Sequence, residues 1–499
     1  MPKKIPIFYS ALLLTVVNLL LRLVGTSFHV YLSGRIGPEG IGLLQLVLSV
    51  GNLSLVAGLA GVRTAAMYLT AEELGRKRAK NVIWVLSACF LYSMVCSGTA
   101  AFLLYHFAPW IAENWIGEPA TLGALRLFAA FLPVTCLCAV LTGYFTAANR
   151  IGTLAMVEVG EQLFSMGSTL GALHFWAGHS AARACQCVVL GSSLGICFTL
   201  VCLLLLRLRE HSSQGAKIPL GRRLLGAAVP LAMADVVKSG INTTENLMVP
   251  KRLAKNKNVA SPMAVFGMVS GMVFPVIMFP ACILFALSEL LIPELARCAA
   301  AGSQGRISYL TRRSLKVAML YGLTFSGLLF LLAEPLCQRL YGNTDASGYL
   351  RLYALLIPML YCDAITDAMT KGLGQQKICV RYNILTSAMD VAFLYLLLPT
   401  YGMGGYFVSF ALTHLINFVL SLRRLLKITG ERFPFFCPAF ACAAGLAALW
   451  GAAQFSGPIS RCAAFLSLLG SFLWLFRVTG REDLHWVRGL LRGRRAKTI

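Results

Sequence analysis

Residues 9–48 read YSALLLTVVNLLLRLVGTSFHVYLSGRIGPEGIGLLQLVL, and this stretch sets the fold class. A long apolar run carries one arginine, Arg22, near its middle. A short polar turn follows over residues 33–40, and a second apolar run begins at once. About 20 apolar residues suffice for a helix to cross the hydrocarbon core of a bilayer. A guanidinium at that depth costs at least ~2.5–3.5 kcal/mol unless it meets water or an anionic partner. Arg22 therefore predicts a polar cavity or a partner inside the membrane.

The rest of the chain repeats the pattern. Its 499 residues are 58% hydrophobic and only 13% charged, with a mean hydropathy of +0.72. A soluble domain carries about 25% charged residues, so the solvent for much of this surface is lipid. Fourteen apolar segments are long enough to span, the first at residues 8–32 and the last at 461–477. The second (41–69) and eighth (263–295) are long enough to be broken or tilted. The expectation is an all-α integral membrane protein with 14 transmembrane helices. The basic start, MPKKIPIFYS, precedes an apolar run too long for a signal peptide and is read as leading into an uncleaved first span.

Net charge is +24. No RNP, zinc-finger or basic-zipper pattern accompanies it, so nucleic acid is not the expected partner. Alternate connections explain the charge better. With the N-terminus inside, 31 of the 44 Lys and Arg fall in inner connections and six in outer ones. This skew predicts a multi-pass protein of the cytoplasmic (cell) membrane with both termini cytoplasmic. Four of the six outer cations lie in residues 251–257 (KRLAKNK), read as a basic rim at the outer mouth or an ordinary loop.

An internal repeat is visible. LRLFAAFLP (125–133) and LRLYALLIP (350–358) share five of nine positions at an offset of 225, and the same offset carries Gly117 onto Gly342. Matched spans six apart keep their orientation, so the repeat is parallel and predicts two six-helix lobes facing a cavity. The expected division is an N-lobe over residues 1–210, a C-lobe over 211–430, two further helices over 431–478, and a basic tail over 479–499.

Enzyme chemistry is not indicated. The chain has no P-loop, HExxH, GxSxG or Rossmann fingerprint. Its seven His have no metal spacing, its 16 Cys form no CxxC, and no cofactor is expected. What remains is a sparse set of ionisable residues inside spans, where charge tends to face a water-filled cavity. Arg22, His29, Arg63 and Lys238 form a basic set suited to an anionic headgroup, because a guanidinium binds phosphate bidentately. Asp235 and Lys238, three apart, are placed to pair on one helical face. Glu161, Glu245, Asp363 and Asp367 are candidate cavity acids for coupling to a proton or monovalent cation. Asp363 and Asp367, one turn apart, repel unless one is protonated or both meet a cation.

Four motifs carry a resemblance. GRIGPEGIGLLQL (34–46) resembles the first-loop signature of the polysaccharide-transport branch of the multidrug/oligosaccharidyl-lipid/polysaccharide (MOP) exporter superfamily. TGYFTAANRIGTLAMVEVGEQLF (142–164) is similar to a signature of the stage V sporulation protein B family. LSELLIPELA (287–296) and YGNTDASGYLRLYA (341–354) extend the likeness through the second half. The resemblance implies a fourteen-helix, two-lobe flippase fold working by alternating access. It implies export of an undecaprenyl-pyrophosphate-linked glycan or peptidoglycan precursor, with membrane lipid and cell-wall synthesis enzymes as partners. Arg22 stands at the first-span arginine of the pattern. A second basic position in that span is His29 here, and the cavity arginines of lipid II flippases in spans two and eight have no clear counterpart. A cation-coupled multidrug exporter of the same superfamily and a non-transporting scaffold for cell-wall enzymes are the alternative readings.

Overall fold

The computed structural model describes residues 7–75, 81–148, 150–176, 180–209, 221–257, 259–342, 344–431, 436–476 and 478. The predicted tail over 479–499 lies outside them. Among the described residues the chain is helical, with no strand. The first nine helices are α1 (Ile7–Leu59), α2 (Val62–Gly75), α3 (Val82–Trp110), α4 (Leu122–Ala147), α5 (Ile151–Trp176), α6 (Ala181–Leu208), α7 (Gly221–Leu253), α8 (Pro262–Gly267) and α9 (Phe274–Ala300). They are followed by α10 (Gln304–Tyr341), α11 (Ser347–Ala354), α12 (Ile357–Gly372), α13 (Gln376–Tyr401), α14 (Met403–Thr429), α15 (Phe436–Ala453) and α16 (Pro458–Leu475).

Nine helices among the described residues are long and apolar enough to cross a membrane, or ten if the bent pair α11–α12 is one span. The chain is thus an all-α, multi-pass membrane protein, and the expected fourteen spans exceed this count. The shortfall has a physical source. The two spans expected within residues 8–69 count as one stretch, Leu23–Leu74, while α5 carries Glu158 and Glu161 and α7 carries Asp235, Lys238 and Glu245.

The opening stretch folds more tightly than its sequence suggests. The polar turn contracts to one residue: Gly37, at φ 75° and ψ 172°, interrupts α1, and Pro38 follows. That backbone region is nearly exclusive to glycine, and a proline is at home in the first turn of the helix it opens. Both spans expected to be irregular are broken. The second stops at Ala60–Gly61 and restarts as α2. The eighth passes through a π-helical segment, Met268–Val273, between α8 and α9.

Contacts divide the chain into two compact units. The first is Met1–Pro275 with Ser387–Ser409, and the second is Val276–Thr386 with Phe410–Ile499. This division keeps α7 and α8 with the first six helices. In the first unit α2, α3 and α4 pack around Val62, Leu69, Val85, Leu141 and Phe145, all fully or nearly fully buried. Lipid is as apolar as these side chains, so close van der Waals fit holds such helices together. In the second unit Tyr361 is buried, and its hydroxyl donates to the Ile277 carbonyl at 2.7 Å.

The two repeat copies have matching local structure. Gly117 (φ 82°) and Gly342 (φ 73°) are both left-handed caps. Leu125, Ala129 and Leu132 are buried in the first copy, and Leu350, Ala354 and Ile357 in the second. The copies differ at their ends: α4 runs through Pro133, whereas α11 and α12 meet at a 54° bend.

The α10 helix has 38 residues, about 57 Å at 1.5 Å per residue, well beyond a ~30 Å hydrocarbon core. Its first turns are tied to the end of α14. Arg312 pairs with Glu431, with one of its bonds at 3.0 Å, and the Gln304 amide donates to the Thr429 carbonyl at 2.9 Å. Hydrogen bonds and charge from Arg312 hold the Glu431 carboxyl below the ordinary carboxylate range. The folded value lies below the unfolded one of about 4.3, so the pair's stabilisation is complete above that pH. It is lost as pH falls through the folded value. Thermal unfolding followed from pH 7 to pH 3 should show this acid sensitivity, and Arg312→Ala should reduce it.

Candidate functional site: a polar cavity at a broken helix

The break between α1 and α2 is built from three close contacts. Ala60 has a positive φ of 42° and Gly61 one of 73°. The Tyr92 hydroxyl of α3 donates to the Ala60 carbonyl at 3.1 Å. A Cβ on Gly61 would lie 2.5 Å from the Ala228 carbonyl oxygen of α7, and one on Gly143 of α4 would lie 2.6 Å from the Arg63 carbonyl oxygen. Backbone thus meets backbone on two sides of the break. Non-helical backbone at membrane depth is tolerated where it is enclosed by protein or lines a cavity, and here it does both.

Beside the break, within the first unit, lies a cavity of about 320 Å³. It is lined by Asn52, Gly61, Arg63, Asp235, Lys238 and Asn242, with apolar Val56 and Leu59. Asp235, Lys238 and Asn242 share one stripe of α7, at spacings of three and four. The expected pairing of Asp235 with Lys238 is not formed: among the described residues neither takes part in an ion pair, and both open into the cavity. Arg63 is exposed there without a hydrogen-bonded partner among the described residues. Glu158 of α5 lies within its electrostatic reach. The lining holds two cations against one acid, with amide groups around them.

A second cavity of about 530 Å³ shares Thr64 with the first and is lined by Tyr68, Glu72 and Arg223. There Arg223 pairs with Glu72 at 2.5 Å and with buried Glu73 at 3.4 Å. Asn81 donates to the other Glu73 oxygen at 3.1 Å.

Of the basic set read from the sequence, Arg63 and Lys238 meet in one cavity. The side chain of Arg22 lies outside the described residues. His29 does not line the cavity. Its Nε2 is 3.3 Å from the Gln45 amide nitrogen, and its buried Nδ1 has no partner among the described residues. The α7 stripe continues toward α1 through Thr243, which donates to the Ser49 carbonyl at 3.0 Å, and Asn246, which donates to Ser49 Oγ at 2.9 Å.

The acids fall in separate places. Glu245 lies beside Asp390 of α13, and Tyr406 lies against both. Ser409 Oγ donates to Asp390 Oδ1 at 2.5 Å. Asp390 is 4% exposed. This carboxyl pair belongs to the first unit. Glu161 accepts from Thr199 Oγ1 at 2.6 Å, between α5 and α6. In the second unit Asp363 accepts from the Asn417 amide at 3.2 and 3.3 Å, and Asp367 pairs with Lys371 at 2.5 Å. The predicted repulsion between the two aspartates is thus answered by different partners.

The segment over residues 251–257 is also partly committed. Arg252 stacks on the Tyr395 ring, 3.2 Å from its centroid, and Lys251 donates to the Asn114 carbonyl. Asn256 donates to the Thr400 carbonyl at 3.2 Å. Lys255 and Lys257 remain exposed.

Comparison with known proteins agrees with this architecture. Residues 14–156 match the MatE family model. Stage V sporulation protein B of Bacillus subtilis (strain 168) is 22% identical over 413 residues, covering 79% of each chain. Among solved structures, the lipid II flippase MurJ in an inward closed conformation superposes with a TM-score of 0.69 at 14% identity, over 93% of this chain and 98% of that one. An inward-facing multidrug resistance MATE family transporter of the MOP superfamily gives 0.68 at 12% identity, over 84% and 100%. Both solved structures are of membrane transport proteins, one a flippase and one a multidrug transporter. In sequence the chain is similar to stage V sporulation protein B, and in fold it is a multi-pass membrane protein like the flippase and transporter structures of the MOP exporter superfamily.

Proposed function

We propose that this protein flips a lipid-linked glycan, an undecaprenyl-pyrophosphate-linked oligosaccharide or peptidoglycan precursor, across the cytoplasmic membrane by alternating access. The observation that carries the reading is the pair of cations, Arg63 and Lys238, facing one cavity at a helix break with no hydrogen bond or ion pair among the described residues. A pyrophosphate needs such cations, a sugar needs amide groups such as Asn52 and Asn242, and a polyprenyl tail needs adjoining lipid. Arg22 and His29, earlier on α1, are further candidates for the headgroup's path. The proton or cation that drives the cycle binds at Glu245 and Asp390. Glu161, Asp363 and Asp367 are secondary candidates. The skew of basic residues supports cytoplasmic termini, and enzymes that polymerise cell-wall glycans are the partners this reading implies.

A second reading has one observation in its favour. Asp235 shares the cavity and Glu158 approaches Arg63, so an organic cation exported in exchange for protons would find an acid there. Purified protein in liposomes separates the two. With a fluorescent polyprenyl-pyrophosphoryl glycan, Arg63→Ala and Lys238→Ala should each slow flipping ten- to a hundredfold, matching ~1.5–3 kcal/mol for a hydrogen bond to a charged group. Parent rates in the double variant, or transport of an organic cation that is lost in Asp235→Asn, would reject the flippase reading.

A further inference from the structure

A third cavity, about 160 Å³ and away from the break, sits where the starts of α4 and α6 meet the end of α5. It is lined by Gly123, Leu127, Trp176, Arg183, Gln186 and Leu190. We propose that this cleft binds the phosphate of an anionic membrane phospholipid.

Its depth is marked by aromatic side chains. Trp110, Trp115 and Trp176 stand at the same end of the helices and are 50%, 36% and 66% exposed. Indole rings gather at the level of lipid headgroups, so the cleft opens at phosphate height.

Its charge is unanswered among the described residues. Arg183 is the third residue of α6. A cation there stands at the positive end of the helix dipole, the unfavourable end. It is exposed and has no hydrogen bond or ion pair among the described residues. Bound phosphate reverses that penalty, because the same dipole favours an anion. The α4 helix starts at Leu122 beside the cleft and adds a second positive end.

Its shape is built. A Cβ on Gly123 would come within 2.2 Å of Gln186 Nε2. Gln186 therefore lies flat over a residue that offers it room, with its amide at the cleft. Leu127 and Leu190 form the apolar wall. A guanidinium and an amide beside an apolar wall fit a phosphodiester with acyl chains better than a free ion.

Native mass spectrometry of the delipidated full-length protein tests this, with phosphatidylglycerol, phosphatidylcholine of matched chains and inorganic phosphate as probes. The parent should bind one phosphatidylglycerol at least tenfold more tightly than phosphatidylcholine. Arg183→Gln should remove that preference. Arg183→Lys should keep part of it, since an ammonium retains the charge without the fork. Gly123→Ala, which displaces Gln186, should weaken it severalfold. An unchanged preference in Arg183→Gln, or equal binding of the two lipids by the parent, would overturn the proposal. So would millimolar inorganic phosphate binding at Arg183 with no preference for lipid.

Discussion

Gly61→Ala is expected to lower thermal stability by several degrees and to abolish headgroup binding in the cavity. Two costs add. The position has φ 73°, where a side chain costs roughly 1–2 kcal/mol. The new Cβ would also stand 2.5 Å from the Ala228 carbonyl oxygen. Neither group is the end of a flexible side chain, so α7 must shift away from the break, at about 1–3 kcal/mol for overpacking. That shift separates Lys238 on α7 from Arg63 on α2, the two cations of the cavity. Gly98→Ala is the control. It lies in α3 with nothing within 4 Å of a built Cβ, so it should be neutral or stabilising by up to ~1 kcal/mol. Melting in detergent, read by size-exclusion fluorescence, and binding of a polyprenyl pyrophosphate check both. Parent-like melting and binding in Gly61→Ala would refute this account of the break.

The helical class was legible because a bilayer fixes the length of an apolar run, and length is a property of the string itself. The break in the second span showed only as excess length. Nothing marks Gly61 among 45 glycines until the carbonyl of Ala228 is seen against it. Gly143 was within reach, since it stands in the GYF motif of residues 142–164, but a motif does not say that its glycine makes room for the Arg63 carbonyl.

Charges were legible as exceptions. Arg63 and Lys238 each stood out in an apolar run, and both line the cavity. Their partners were harder to read, because helix periodicity speaks only for one helix at a time. Asp363 and Asp367 looked like a repelling pair at four apart. Lys371 lies four further along the same face and pairs with Asp367. Asp390 stands as a lone acid in an apolar run, residues 384–399. Its pairing with Glu245 joins helices distant in sequence, and no spacing rule connects them.

That pairing sets the second large effect. Glu245→Gln and Asp390→Asn should each leave headgroup binding within about threefold of the parent while slowing gradient-driven flipping at least tenfold, ~1.4 kcal/mol on the barrier. Glu245 and Asp390 lie against one another, and two bare carboxylates at close range repel strongly where water is scarce. On the proposed reading, a proton or cation bound between them relieves that repulsion, and its exchange drives the cycle. Its surroundings fix the geometry. Ser409 donates to Asp390 at 2.5 Å, and Tyr406 lies against both acids. The α7 helix carries Glu245 seven residues beyond Lys238, roughly 10.5 Å along the axis, so rearrangement at the pair reaches the cavity through one continuous helix. Glutamine keeps the volume but can neither take up nor release a proton, so the pair should lose its response to the gradient. The two substitutions act on one unit, so the double variant should be no slower than either single. Liposomes with imposed pH or sodium gradients provide the measurement. If Glu245→Gln still responds to the gradient and Asp363→Asn does not, coupling belongs to the second unit instead.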